Sequence, residues 1–330
     1  MDSLEPQRAD PALLAARPRA KASGAQIDLA LAPANRGVAF ALLKSLRLHQ
    51  WAKNLLVFVP LVLGGKILSG EAWSACVLGF IAFGLLASAT YLVNDLRDLP
   101  FDRLHWSKCA RPLANGDLPT AVALAAIPLG VFASLIIAAS VDRGAAMVLL
   151  VYAALTLTYS FRLKRVPMVD VFALAVLFTL RIVFGIFLAK VAVSPWLLVF
   201  SMFLFMSLSL AKRHTEVGRT GARGREHVNG RGYVAKDGPL LLGLGVSTAV
   251  GAVLIMVLYL VNEAFSATFY KSPTVLWAVP AILFLWLSHV WLLAGRDQLD
   301  DDPVHFALTD RTSLCCGFLM AAAFVGAWQL

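Results

Sequence analysis

Apolar stretches of about twenty residues recur along most of the chain, and they limit its fold more than any other feature. A helix rising about 1.5 Å per residue needs about 20 apolar residues to cross a hydrocarbon core about 30 Å thick. Such stretches cover residues 46–68, 72–94, 119–140, 144–162, 168–189, 194–211, 239–262, 273–294 and 312–330. They lack the period-two alternation of a barrel, and backbone polar groups in lipid must be paired within their own segment. The expected fold class is therefore all-α: a polytopic membrane protein with nine transmembrane helices. Composition agrees, with 59% hydrophobic and 15% charged residues, where soluble domains hold about 45–50% and about 25%. A disordered chain, a disulfide-stapled secreted mini-protein and an ordinary cytosolic enzyme are excluded. Cys76, Cys109, Cys315 and Cys316 have neither metal-type nor disulfide-framework spacing, so they are read as packing residues.

Residues 1–36 are rich in Ala, Pro and charge and contain no long apolar run followed by a small-residue cleavage site. They are expected to form a flexible cytosolic tail ahead of a transmembrane domain over 37–330. The basic residues are sided. Of 29 Lys and Arg, all but five fall in the tail, the start of the first span, and the loops after the second, fourth, sixth and eighth spans. The exceptions are Lys66, Arg143, Lys190 and Lys271 in the opposite loops and Arg181 inside the fifth span. Positive charge accumulates on the cytoplasmic side. The expected localisation is a bacterial-type plasma membrane, with the N-terminus and the basic loops in the cytoplasm and the C-terminus outside. The formal net charge of +9 is thus a feature of one face, suited to anionic lipid. Nucleic acid is not expected as a partner, because the basic loops lie between membrane spans.

The stretch 90–116 carries the chemistry. Asn94, Asp95, Asp98 and Asp102 follow the pattern NDxxDxxxD, and spacings of three and four put three carboxylates on one helical face. Like charges so placed repel unless a divalent cation sits among them, as Mg²⁺ does when held by a few carboxylates and substrate phosphates. Arg103, Lys108 and Arg111 follow at once, as donors for phosphate oxygens. A solvated loop with internal salt bridges is the competing reading. Pro100 cannot continue a regular helix, so the helix is expected to end near Asp98, leaving Asp102 on the next loop or a new first turn.

With these residues the chain resembles the UbiA superfamily of intramembrane prenyltransferases. The resemblance implies nine helices around a central cavity open to cytosol and membrane, and two Asp-rich motifs. Asn94, Asp95, Asp98, Asp102, Arg111-Pro112 and Gly116 match the first motif. For the second, where the family has two Asp four apart, the chain offers Asp170 with Leu174 at the partner position. Further signatures are Arg47, Gln50-Trp51, Lys53-Asn54, His105 with Lys108, Tyr159-Ser160-Phe161, Leu163-Lys164, Arg181, Lys212-Arg213 with Glu216, and the stretch from Asp302 to Arg311. These are similar to a narrower branch, the decaprenyl-phosphate phosphoribosyltransferases, from which Trp106 and Pro100 depart.

What that resemblance implies is transfer of 5-phosphoribose from phosphoribosyl diphosphate to a polyprenyl phosphate, with Mg²⁺ as cofactor and membrane lipids around the protein. The product would be a precursor of lipid-linked arabinose donors. Asn94, Asp95, Asp98, Asp102 and Asp170 are the implied metal ligands, the four Asp also forming the catalytic set. Arg47, Lys53, Asn54, Arg103, His105, Lys108, Arg111, Tyr159, Lys164, Arg181, Lys212 and Arg213 are the implied substrate contacts. Several have plainer readings: Arg47 and Lys53 as topology signals, Lys212 and Arg213 as helix-dipole partners, and Arg181 in a structural ion pair. Two other functions compete, a conventional prenyltransferase with an aromatic acceptor and a transporter for a lipid-linked anion. Self-association as a homo-oligomer is left open.

Overall fold

The computed structural model describes residues 37–104, 108–299 and 303–329. The expected tail over 1–36, and His105, lie outside the described residues. A short α1 (Val38–Ser45) precedes a 3₁₀ helix over Leu48–Phe58 that passes directly into α2 (Val59–Leu63). There follow α3 (Gly70–Asp102), α4 (Thr120–Val141), α5 (Arg143–Phe161), α6 (Val169–Ala189), α7 (Pro195–Ala222), α8 (Gly238–Asn262), α9 (Ala278–Gly295), α10 (Pro303–Thr309) and α11 (Arg311–Gln329). Among the described residues there is no regular strand; His227 and Val234 form an isolated antiparallel bridge.

Among the described residues eight helices are long and apolar enough to cross a membrane: α3 to α9 and α11. The expected first span over 46–68 is not a ninth regular helix. It is a composite of 11 residues in 3₁₀ geometry and five in α geometry. Rises of about 2.0 and about 1.5 Å per residue give the composite a length of roughly 30 Å. Its contacts show that it traverses the bundle. Arg47 meets Asp95 near the C-terminal end of α3, while Gly64 and Gly65 lie against Val191 and Phe269 in the loops at the other end. Runs of 3₁₀ helix beyond a turn are uncommon, and side chains hold this one. Trp51 Nε1 donates to Ser88 Oγ at 3.0 Å, and Ser88 Oγ donates to Leu46 O at 2.7 Å.

Pro100 does not end α3 as expected. The helix runs on to Asp102, and Arg103 N–H still reaches Leu99 O at 3.2 Å. The missing proline N–H costs one bond in the last turn, where carbonyls are short of partners anyway. The continuation is decisive for the site, because it keeps Asp102 in register with Asp95 two turns earlier.

Helix starts at the far end are capped by side chains. Ser69, Asp142 and Ser194 accept from the backbone N–H of Ala72, Ala145 and Leu197, as N-cap residues do. The helices associate through small residues that admit close approach, the usual device where lipid removes the hydrophobic drive. Gly84 receives the Trp51 indole and Gly185 lies against the Val57 carbonyl, so a Cβ at Gly185 would sit 2.1 Å from that oxygen. By contrast α4 turns Leu124, Leu129, Phe132 and Ile136 outward, to the lipid.

Candidate active site

The end of α3 presents its carboxylates to a ring of cations. Asp95 is 5% exposed, and its Oδ1 accepts from Arg47 Nη2 at 2.5 Å and from Arg111 Nη1 at 3.0 Å. The same Arg111 nitrogen donates to Asp102 Oδ2 at 2.5 Å, and Lys108 Nζ lies 3.8 Å from Asp102 Oδ1. Arg47 reaches this position from a left-handed backbone conformation (φ 52°) and stacks over Tyr91 at 5.1 Å. A non-glycine residue at positive φ is uncommon and marks a position over-determined by its surroundings. Asp98 lies between the two pairs, half-buried, and makes no hydrogen bond among the described residues. The spacing of three and four thus produces one acidic face, as expected, with arginine and lysine neutralising its two buried members.

A second cluster forms around Asp170 in the first turn of α6. Asp170 is fully buried, and the helix N-terminus favours its charge. Its Oδ2 accepts from Arg213 Nε at 2.7 Å and lies 3.5 Å from Arg231 Nη1, while its Oδ1 accepts from the Tyr233 hydroxyl at 2.6 Å. Arg213 also donates to Glu216 Oε2 at 2.5 Å, and Arg231 Nε donates to Glu216 Oε1 at 3.3 Å. Two acids and two arginines therefore close into one network. Burial, and then the hydrogen bond to Asp170, push the Tyr233 hydroxyl well above the usual phenol value, so it stays a donor.

The two clusters meet at the C-terminal end of α5. Tyr159 Oη accepts from Arg213 and Arg231, both at 3.4 Å. One residue on, Ser160 O accepts from Arg97 of α3 at 2.9 Å, and Arg97 lies over the Phe161 ring at 4.4 Å. Lys164, just beyond α5, feels the charges of Asp98 and Arg231 together. Burial lowers its pKa below the ordinary lysine value, with Asp98 pulling the other way.

The other candidates are distributed as follows. Tyr159, Lys164 and Arg213 join the clusters. Lys212 lies on the adjacent face of α7, and Lys53 is half-buried in the 3₁₀ helix. Asn94 is half-buried one residue before Asp95, and Arg103 is exposed past the end of α3. Arg181 and Asn54 are elsewhere. Arg181 lies eleven residues beyond Asp170 in α6, about 16 Å along the axis. Its Nε donates to Asn54 Oδ1 at 3.2 Å, its Nη1 to Leu177 O and its Nη2 to the Tyr152 hydroxyl. Phe83, Tyr152 and Phe178 surround it at 5.0 to 5.2 Å. It is neither in an ion pair among the described residues nor in the clusters; it ties the composite crossing to α5 and α6.

Glu216, singled out with Lys212 and Arg213 in the sequence, does pair with Arg213, whereas Arg231 and Tyr233 are cluster residues that the sequence did not single out. Their signal was faint: Tyr233 is a lone aromatic in a polar, glycine-rich loop with no periodicity. Arg231 and Tyr233 reach Asp170 because the 226–235 segment folds back on itself. Val228 N–H bonds to Tyr233 O, Ala235 N–H bonds to Glu226 O, and Gly230 turns at φ 74°.

The α3 face supplies hard carboxylate oxygens, the donors that Mg²⁺ prefers. Among the described residues no three His, Cys, Asp or Glu side chains converge as a ready-made metal cage. Asp95 and Asp102 are held by cations, while Asp98 is within electrostatic reach of Lys164. This donor set fits an ion that shares one or two carboxylates with substrate phosphates and water.

Farther along the bundle, toward the end away from these clusters, lies an apolar chamber of about 690 Å³ between the composite crossing, α6 to α9 and α11. Leu56, Ile182, Phe205, Leu283, Trp286 and Phe324 are among its lining residues.

Comparison with known proteins agrees with this architecture. The chain is 37% identical over 198 residues to decaprenyl-phosphate phosphoribosyltransferase of Mycobacterium tuberculosis, covering 58% of this chain and 65% of that protein. It is 45% identical over 283 residues to the uncharacterized protein y4nM of Sinorhizobium fredii, covering 86% of this chain and 55% of that one. The chain thus spans about half the length of y4nM. Its fold matches a UbiA homolog from Archaeoglobus fulgidus, solved with GPP and Mg²⁺, at a TM-score of 0.65 and 17% identity, over 87% of this chain and 98% of that one. The UbiA prenyltransferase family matches residues 57–309, so this all-helical membrane protein belongs to that family.

Proposed function

We propose that the protein transfers 5-phosphoribose from 5-phosphoribosyl 1-diphosphate to a polyprenyl phosphate, giving polyprenylphosphoryl-5-phosphoribose and diphosphate. The observation that carries this reading is the convergence of the α3 and Asp170 clusters at the end of α5, with Lys164 between them. Arg97, Lys164, Arg213 and Arg231 come together there from four elements. Both substrates are polyanions, whereas a prenyl diphosphate with an aromatic acceptor brings one charged group to the site. The Mycobacterium tuberculosis relative supports the reading through its name, and the apolar chamber suits an isoprenoid tail.

The reaction breaks the bond from ribose C1 to the diphosphate oxygen and forms one from C1 to a phosphate oxygen of the lipid. The diphosphate leaves with the bonding electrons. The acceptor phosphate is already ionised near neutral pH, so no general base is required, and catalysis rests on positioning and electrostatics. Lys108 and Arg111 bind leaving-group oxygens. Arg47 holds Asp95 in place, and Asp98 and Asp95 would hold the cation that accompanies the diphosphate. Mg²⁺, when bound, supplies the Lewis acidity that stabilises negative charge on the leaving group. Asp170, held by Arg213 and Tyr233, orients the arginines toward the sugar rather than taking a proton. The active face is cytoplasmic in this reading, where a soluble donor arrives.

The test uses the full chain in proteoliposomes with Mg²⁺, phosphoribosyl diphosphate labelled in the ribose, and decaprenyl phosphate. Label is expected in the organic phase with one diphosphate released per lipid product. Asp98→Asn is expected to cut turnover at least ~100-fold while the melting temperature holds, since Asp98 makes no hydrogen bond among the described residues. Consumption of a prenyl diphosphate with no labelled lipid would replace this reading by prenyl transfer, and vectorial movement of unmodified lipid phosphate would replace it by transport.

A further inference from the structure

The last turns of α7 and the folded-back loop enclose a second hollow, of about 370 Å³. Lys212, Glu216, Arg219 and Arg223 line it from one side, and their spacing of four, three and four is a single helical stripe. Arg225, His227 and Arg231 line it from the loop. Glu216 is the one carboxylate among its described lining residues, and Arg213 and Arg231 already share that charge. Arg219 Nη2 donates to the Asp297 and Leu299 carbonyls. Among the described lining residues the cations outnumber the one carboxylate, and the inner wall, Glu216 and Arg231, also belongs to the Asp170 network.

The loop is built against the site. A Cβ at Gly232 would sit 2.4 Å from the Arg165 carbonyl, so the backbone is in close contact with the segment after α5. Tyr233 is 2% exposed, and its hydroxyl accepts from Met168 N–H at 2.8 Å while donating to Asp170. Asp237 accepts from Val234 N–H. A solvated connector needs none of these contacts.

We infer that this hollow seats a phosphomonoester dianion, and that in the reaction proposed above it holds the 5-phosphate of the phosphoribosyl donor while the α3 face takes the diphosphate. The inference rests on that proposal for the identity of the ligand, not for its chemistry. It makes the hollow a specificity device, because a prenyl diphosphate carries no separate phosphomonoester to fill it.

Arg223 and Arg225 are exposed at the rim, so replacing both leaves the buried network intact. Binding of ribose 5-phosphate to the detergent-solubilised full chain is measured by calorimetry for wild type and Arg223→Ala/Arg225→Ala. Two lost charge-assisted contacts predict affinity weaker by at least ~10-fold, with a matching rise in KM for phosphoribosyl diphosphate and a much smaller change in kcat. Lys236→Ala removes a charge from the same loop outside the hollow and is expected to leave both constants unchanged. Repeating the kinetics in phosphatidylcholine vesicles with and without phosphatidylglycerol separates the sources of phosphate. A defect present only with phosphatidylglycerol assigns the hollow to lipid headgroups and overturns the inference, as does equal ribose 5-phosphate affinity in the two proteins. A wild type that binds ribose 5-phosphate through these arginines yet makes no ribosyl lipid refutes the reaction and leaves the phosphomonoester seat standing.

Discussion

Lys164 joins the two halves of the site, and its titration offers a direct probe of it. The side chain is half-buried, and burial lowers its pKa, opposed by Asp98 and reinforced by Arg97, Arg165 and Arg231. A phosphate contact needs the protonated amine. Donor affinity is therefore expected to fall as pH rises through a value below the ordinary lysine pKa of about 10.4. Lys164→Arg, always charged, should move that alkaline limb upward while keeping affinity at neutral pH. A KM–pH profile unchanged by the substitution removes Lys164 from the binding site. At this scale Asp95 and Asp98 were legible, because their spacing of three has one consequence on a helix, whereas Pro100 hid that Asp102 continues the same face. The partners were legible only where sequence proximity forced them, as for Lys108 and Arg111. Arg47 lies 48 residues from Asp95, and Arg231 lies 61 from Asp170; such pairings are set by packing, which no local pattern encodes. The same applies to Arg181, whose partners turned out to be an amide, a carbonyl and a phenol.

The composite crossing shows why apolar length locates a span but not its geometry. Hydropathy marked 46–68 as a span, and the segment's contacts run from one end of the bundle to the other. Hydropathy could not indicate that 3₁₀ geometry covers the distance in fewer residues, or that Arg47 and Asn54 would be carried to different depths. The segment depends on Gly185, whose missing Cβ leaves room for the Val57 carbonyl. Gly185→Ala should displace the crossing and cost roughly 1–3 kcal/mol, the usual price of overpacking a tight interface. Activity should fall with it, since the same segment carries Arg47 to Asp95. Gly130→Ala is the contrast. A Cβ there meets Ala89 and Leu85 at an ordinary 3.5 Å, and alanine favours the helix, so stability should hold or rise slightly. Thermal melts of both variants in one detergent check the pair, and equal melting temperatures would show that the glycine contact does not hold the crossing. Pro100 teaches the complementary lesson: a proline predicts a helix end only where nothing beyond it holds the chain in register, and here Arg111 grips Asp95 and Asp102 together.

Across the whole molecule, charge and chemistry share one face. The connections holding the two clusters and the basic hollow follow α3, α5 and α7, while Lys66, Lys190 and Lys271 mark the other end. Lys190 there is 3.2 Å from Glu71, an exposed pair worth little. Sidedness was the most legible property of the sequence, because it depends on counting cations in loops rather than on how helices pack. Its functional content needed the structure, which brings part of the topological charge into the two clusters. These two roles can be separated experimentally. In a cysteine-free background, single cysteines replace Arg225 and Lys271 at opposite ends of the bundle. An impermeant maleimide added to intact cells should label the Lys271→Cys protein and leave the Arg225→Cys protein untouched until the membrane is opened. Labelling of Arg225→Cys from outside would invert the topology and place the phosphate-binding face away from any cytoplasmic donor. Labelling as expected leaves the cations of that face serving two ends, retention on the inner side during insertion and capture of polyanions afterwards, so that their loss should weaken substrate binding before it disturbs orientation.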